Sequence, residues 1–358
     1  MATIRQPKED MYLKSRACVF WFAGLFFASL AGWWLLTSVV IRDFWDSQYT
    51  MKYQSLKACV EKMPHHPLWL VMGSSRVNNG VCPRVLAGEM EKENAPVVFN
   101  FGFSGADLFR QFICLRRIVE DGIKPDRVGI ELVGVQLVNT YTIFTDEAPM
   151  VIRARRNELD DHRKYSFTPG NINKWWYEPR ICPIFKYGTD IPFQSLSLKF
   201  PMLRSLGVGK KPPYDEWGWF VMQPEHIPPD VQLQLNAKAR DPFKASFTGK
   251  FEVSALQRGL VERILDFCRL HKIDVFLLRT PESKYFQEIY TPVANAAIDA
   301  YFKELQARHG LQFIDGRQWA GEDEFSDSHH LNAGGAENFT RRLSAEMHRN
   351  AGHDRNEP

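Results

Sequence analysis

Residues 17–41, ACVFWFAGLFFASLAGWWLLTSVVI, run without a charge between Arg16 and Arg42, and no other feature restricts the possible folds so tightly. A helix rises about 1.5 Å per residue, so this run reaches roughly 37 Å and crosses a hydrocarbon core about 30 Å thick with some tilt. A cleaved secretion signal is the alternative. Ser29-Leu30-Ala31 has the small residues of a cleavage site, but apolar sequence from Trp33 to Ile41 continues past it, beyond an ordinary signal core. The reading adopted is a retained transmembrane helix over 17–41 that contacts membrane lipid. Arg5, Lys8, Lys14 and Arg16 precede it, while Arg42, Asp43 and Asp46 follow. The positive-inside rule then makes residues 1–16 a cytoplasmic stub. The expected location is the inner (cytoplasmic) membrane, single-pass, with the rest of the chain periplasmic or extracellular.

The remaining sequence has the balance of a chain that buries a core, with 44% apolar and 24% charged residues overall. Lys and Arg number 45 against 42 Asp and Glu, so the basic excess that carries nucleic-acid affinity is missing, and no nucleic-acid partner is expected. Six cysteines occur without a Cys-x-x-Cys pair or a zinc spacing. The five beyond the span, Cys59, Cys82, Cys114, Cys182 and Cys268, cannot all pair within one chain. His65 and His66 look like a metal pair but lack a third ligand at a supporting spacing. No metal and no cofactor is expected.

Short apolar runs alternate with helical periods. Strands are predicted at Leu68 to Met72, Val97 to Phe101, Val128 to Val133, Ile273 to Leu278 and Leu311 to Ile314. Between them, residues 106–121 repeat apolar side chains at helical spacing up to Gly122. Ser254-x-x-Gln257 opens a helix to about His271, and Thr291-Pro292 opens one that ends at Gly310. This alternation implies an α/β fold, a three-layer parallel sheet of flavodoxin-like type with helices on both faces. Residues 42–67 read as a linker, 68–345 as the external domain and 346–358 as a polar tail. An irregular insertion at 140–250 carries Trp175, Trp176, Trp217 and Trp219 among many prolines. Its aromatics suit a sugar-stacking platform, a bilayer interface or a satellite core.

In an open parallel sheet, ligands sit beyond the carboxyl ends of the strands. Gly73-Ser74-Ser75 follows the first strand, Asn100-Phe-Gly102-Phe-Ser104-Gly105 the second, and Asp327-Ser-His-His330-Leu-Asn332 precedes the last helix. A serine hydroxyl becomes a nucleophile when a base removes its proton; imidazole is the usual base, and a carboxylate fixes its tautomer. Asp three residues before His is compact enough for one turn to do this. His329 is the neighbour that the spacing passes over.

These blocks, in this order, resemble the SGNH (GDSL-like) hydrolase superfamily over residues 68–138 and 254–345. The resemblance implies that Ser75 is the nucleophile and an oxyanion donor through its backbone, that Gly105 is a second donor, and that His330 and Asp327 complete a triad. After the third strand the chain reads Gly134-Val135-Gln136 where the family commonly has Gly-x-Asn. Gln136 is carried as a third oxyanion donor, with a neutral structural role as the alternative. The single span and the insertion resemble the membrane-anchored members related to the D-alanine transfer protein and to alginate and cellulose O-acetylation proteins. That resemblance implies an O-acyltransferase that takes an acyl group, acetyl being the expected one, from a membrane-bound O-acyltransferase partner and passes it to a polysaccharide or other envelope polymer. The alternatives are an anchored esterase using the same residues and a non-catalytic assembly module.

Overall fold

The computed structural model describes residues 7–35, 45–89, 95–138, 147–166, 168–181, 214–221, 227–248 and 250–351. Five short strands, β1 (Leu68–Met72), β2 (Val97–Asn100), β3 (Arg127–Glu131), β4 (Asp274–Arg279) and β5 (Gln312–Asp315), make one sheet in the order β2-β1-β3-β4-β5. Every neighbouring pair is parallel. This is the flavodoxin-like order, and the expected α/β class and strand sequence hold. The chain leaves β1 toward β2 on one side and returns to β3 on the other, which opens a crevice at the carboxyl ends of β1 and β3.

Among the described residues the helices are α1 (Pro7–Leu35), α2 (Ser47–Lys62), α3 (Ser75–Gly80), α4 (Pro83–Gly88), α5 (Leu108–Glu120), α6 (Glu147–Arg153), α7 (Leu159–Tyr165), α8 (Ile172–Ile181), α9 (Pro229–Lys244), α10 (Ala255–His271), α11 (Lys284–Gln287), α12 (Pro292–His309) and α13 (Ala333–Ala351). Strand side chains alternate between the sheet's faces. Val71, Val98, Phe276, Leu278 and Ile314 share one face and pack with Val77, Leu86, Phe339, Leu343 and Met347 of α3, α4 and α13. Leu70, Val128, Ile130 and Leu277 alternate with them and are buried on the other face.

Local chemistry sets the helix ends. The Ser254 hydroxyl accepts from the Gln257 N–H at the start of α10, and Thr291 does the same for Ala294 at α12. Gly310 ends α12 in the left-handed region at φ +62°. α10 ends instead on Lys272 at φ +55°, without a glycine to signal it.

The stretch read as a linker holds α2 over most of its length, because Tyr49, Lys52, Leu56 and Cys59, three to four residues apart, are buried on successive turns. α13 continues to Ala351, into the expected tail, since Leu343 and Met347 stay in the core. The sheet, α3–α5 and α9–α13 belong to one compact unit. A second unit gathers α1, α7 and α8, with Val151, Ala154, Leu159, Ile172 and Trp176 as its small core. The indole of Trp176 donates to the Ala154 carbonyl at 2.9 Å, and Trp219 is buried in the sheet-bearing unit. Both tryptophans are therefore core residues.

Along α1, residues 14–35 form one helix long and apolar enough to cross a membrane, with Phe20, Trp21 and Phe22 exposed. The end of the expected span, residues 36–41, lies outside the described residues, as do Cys182 and the insertion prolines Pro183, Pro192, Pro201, Pro212, Pro213 and Pro224. Cys59, Cys82 and Cys268 are buried free thiols, and burial pushes the Cys268 thiol up to about 12.

Candidate active site

At the end of β1 the chain must turn sharply into α3 between Val77 and Glu131. A Cβ on residue 73 would stand 2.4 Å from the Val77 side chain, so only glycine fits there. Ser74 then caps α3: its hydroxyl accepts from Arg76 N–H at 3.2 Å, and its own N–H donates to the Glu131 carboxylate at 2.7 Å. Ser75 is the first residue of α3, half-buried, and its N–H is one of the donors that a helix start leaves without an internal partner.

The Asp327–His330 segment uses one carboxylate twice. Oδ1 of Asp327 accepts from the backbone N–H groups of His329 and His330, both at 2.9 Å, which closes a tight turn. Oδ2 lies 2.6 Å from Nδ1 of His330. Since a carboxylate only accepts, this bond places the proton on Nδ1 and leaves Nε2 as acceptor. Nε2 lies 2.7 Å from Oγ of Ser75, across 255 positions of sequence. Burial pushes the Asp327 carboxyl up, but the His330 ring and the two N–H groups outweigh it and hold the carboxyl below its usual range. The turn is anchored at its far end, where Asn332 Oδ1 accepts from Gly335 N–H and caps α13, and Leu331 enters the core. A Cβ at Gly335 would stand 2.3 Å from the Glu324 carbonyl, so that close approach needs glycine.

Gly105 lies in the turn after β2 at φ +71°, exposed, in the left-handed region that glycine adopts freely. The preceding Asn100 is fully buried. Its Oδ1 accepts from Gly102 N–H at 2.9 Å, and its Nδ2 donates to the carbonyls of Val77 and Val81 at 2.7 and 2.8 Å. Asn100 thereby ties the second block to the helix that carries Ser75. Gln136 sits in a buried turn over Gly134–Gln136. Its Oε1 accepts from Val133 N–H at 3.2 Å and its Nε2 donates to Glu131 at 3.3 Å. These bonds give its carboxamide a structural place beside Glu131 and leave one Nε2 hydrogen for another acceptor.

Two features of the site carry no sequence signal. Glu131, wholly buried, gathers Ser74 N–H, Gln136 Nε2 and, at 2.9 Å, the Thr280 hydroxyl. It fixes the turn that presents Ser75. Arg76, next to the serine, is also buried and pairs with Glu282 at 2.9 Å; Glu282 in turn holds Arg317 at 2.9 Å and accepts from the Tyr290 hydroxyl at 2.7 Å. Burial pushes the Glu282 carboxyl up, but Arg76, Arg317 and Arg279 together draw it below its usual range.

His329 faces inward. Its ring lies 4.9 Å from Phe286, 5.8 Å from Phe243 of α9 and 4.1 Å from the His330 ring. Burial first, and then His330 and Arg76, push its pKa well below the ordinary value of 6.5. Folded His329 therefore stays neutral while unfolded His329 takes up a proton as pH falls below about 6.5, so its contribution destabilises the folded state progressively on the acid side. A His329→Phe variant fills the same aromatic setting without a titrating group. Its melting temperature should fall less than that of the wild type between pH 7 and pH 5; equal slopes would show that His329 does not titrate as its surroundings require.

Among the described residues, Asp327, His329 and His330 are the group whose ligating atoms, within 4.8 Å of one another, could hold a metal ion. Asp327 and His330 already bond each other and Ser75, so a metal there would have to break the serine–histidine–aspartate chain. His66 uses its Nδ1 on the Ala95 carbonyl at 2.8 Å.

The fold and the site thus define a parallel α/β protein with a hydroxyl, an imidazole and a carboxylate in line at the carboxyl end of its sheet. A protein-family profile aligns with residues 234–351, short of half the chain. No curated protein matches the chain. Among solved structures it is similar to a GDSL-like lipase from Bacteroides thetaiotaomicron VPI-5482, at 13% identity over 84% of this chain and 99% of that one, with a TM-score of 0.34. It is also similar to a protein described as an acylhydrolase from Bacteroides fragilis NCTC 9343, at 12% identity over 82% and 96%, with a TM-score of 0.33. Similarity this low transfers no activity to this chain.

Proposed function

We propose that the protein is a serine acyltransferase of SGNH type, anchored by residues 17–41, that moves an acyl group, acetyl by preference, onto a cell-envelope or secreted polysaccharide outside the cytoplasm. The observation that carries the reading is the 2.7 Å approach of Ser75 Oγ to His330 Nε2, with Asp327 behind the ring at 2.6 Å.

Ser75 Oγ attacks the acyl carbonyl while its proton passes to His330 Nε2. The Nδ1–H bond to Asp327 stabilises the imidazolium that forms. The oxyanion is received by the backbone N–H groups of Ser75 and Gly105, each such donor contributing roughly 3 kcal/mol to the transition state. His330 returns the proton to the leaving group, and an acyl-Ser75 remains. In the second half, His330 removes a proton from an acceptor hydroxyl, that oxygen attacks the acyl-serine, and Ser75 recovers its proton through His330. The acyl donor is a membrane-bound O-acyltransferase partner, by the same resemblance that suggests the acceptor. The apolar, exposed α1 supports an anchor that would keep the domain near such a partner.

Water can replace the sugar hydroxyl in the second half, which is the esterase reading. Full-length protein in detergent, given an aryl acetate with and without acetyl-free oligosaccharides, separates the two. Transfer predicts acetylated oligosaccharide and a matching fall in free acetate. Free acetate unaffected by any sugar would leave hydrolysis as the activity.

A further inference from the structure

Lys52 lies on α2, in the stretch that reads as a linker, yet its side chain is 2% exposed. Its ammonium donates to Asn78 Oδ1 at 2.8 Å, to the Gly218 carbonyl at 3.0 Å, to the Asn100 carbonyl at 3.2 Å and to the Gly102 carbonyl. The rings of Phe103 and Tyr214 flank Nζ, each with its centroid at 5.1 Å. No carboxylate hydrogen-bonds to it among the described residues, so the oxygens that accept from the buried charge are all neutral. Burying a cation costs heavily unless every donor is satisfied, and here three N–H bonds face four oxygens.

Those oxygens come from three separate segments. Asn78 is on α3, whose first residue is Ser75. Asn100 and Gly102 lead directly into the turn that carries Gly105. Gly218 belongs to a turn of the insertion, at φ +85°, packed so closely that a Cβ there would stand 2.2 Å from the Asn100 carbonyl oxygen. Likewise a Cβ on Gly102 would stand 2.6 Å from the Asn78 nitrogen. Carbonyl dipoles crowded toward one point repel each other; the ammonium reverses that repulsion and makes the crowding favourable.

We propose that Lys52 is a positioning residue of the acyl-transfer site, whose ammonium locks α3 to the turn after β2 and so sets the spacing of the Ser75 and Gly105 N–H groups that receive the oxyanion. The inference rests on the serine acyl-transfer reading of this site. It also gives the insertion a role in catalysis, since one of its carbonyls completes the cage. Among the described residues, the other titratable and charged groups around Lys52 are Cys114 of α5 and Asp215, whose charges act on it, the Tyr214 phenol, and Arg110, whose guanidinium lies 5.1 Å from the Phe103 ring. Burial pushes the Lys52 ammonium down to about 7. Its charge, and with it the cage, should therefore be lost as pH rises from 7 to 9. Unfolded lysine keeps its proton to about 10.5, so over that range this group favours the folded state increasingly. An alkaline fall in activity without a fall in melting temperature is a signature that simple unfolding would not produce.

Full-length protein is assayed on an aryl acetate from pH 6 to pH 9, with melting temperatures in the same buffers. Lys52→Met should lower kcat by about 100-fold with little change in KM, the size expected for misplacing an oxyanion donor. Lys52→Ala should regain part of its activity in n-propylammonium chloride, which replaces the fragment that truncation removes, and none in n-propanol. Ser75→Ala serves as the reference. If Ser75→Ala stays active, the acyl-serine reading itself fails. If Ser75→Ala is inactive while Lys52→Met matches the wild type, or while folded Lys52→Ala ignores n-propylammonium, the role of Lys52 alone is overturned.

Discussion

Ser75→Ala is expected to lower kcat for an aryl ester by about 10⁴ to 10⁶, the range found when members of a serine–histidine–aspartate unit are removed. The size follows from how little else could take over. Ser75 Oγ is the hydroxyl within hydrogen-bond reach of His330 Nε2. The adjacent Ser74 Oγ is turned to the helix start, where it accepts from Arg76 N–H. Stability should change little, because the substitution removes one side-chain hydrogen bond, worth about 1 kcal/mol, and opens no cavity larger than an oxygen. Steady-state kinetics on full-length protein, paired with a melting curve, checks both halves. A variant within tenfold of the wild type would mean that ester cleavage by this protein does not pass through Ser75.

Glu282→Ala should be the most destabilising single change near the site. Glu282 is buried and stands between Arg76 and Arg317, each at 2.9 Å, and it also accepts from the Tyr290 hydroxyl. Removing the carboxylate leaves two buried guanidinium groups facing each other and a buried phenol without its acceptor. Breaking a buried ion pair from one side costs about 3–5 kcal/mol, which lowers the melting temperature by roughly 4–7 °C in a chain of this size. Because Arg76 follows Ser75 on α3, the loss should be accompanied by weaker ester turnover even at temperatures where the variant is folded. A melting temperature within about 2 °C of the wild type would show that the arginines find other partners or that the cluster is already hydrated.

Much of the frame was legible because its signals are local. The strands were placed within two residues by short apolar runs, and the ends of α10 and α12 by Ser254, Thr291 and Gly310, whose capping bonds need only three or four neighbouring residues. Asp327-x-x-His330 was legible for the same reason, since one carboxylate serves the turn and the ring together. The charges that hold the site were not. Lys52 looks like any lysine of a solvated linker, and Glu131 and Glu282 look like ordinary acids at or after strand ends; most of their partners lie tens to hundreds of positions away, and no periodicity marks such pairs. Gln136 is a mixed case: its motif position suggests an oxyanion donor, and its bonds to Val133 and Glu131, which give it a structural place as well, depend on where β3 and the first block meet in space.

If His330 and Asp327 make Ser75 nucleophilic, a serine-directed fluorophosphonate reacted with the full-length protein should label it at Ser75, as mapped on the modified peptide by mass spectrometry. One adduct is expected, on Ser75, absent in Ser75→Ala and formed far more slowly in His330→Ala. An adduct on another residue, or labelling of Ser75 at the same rate without His330, would contradict it.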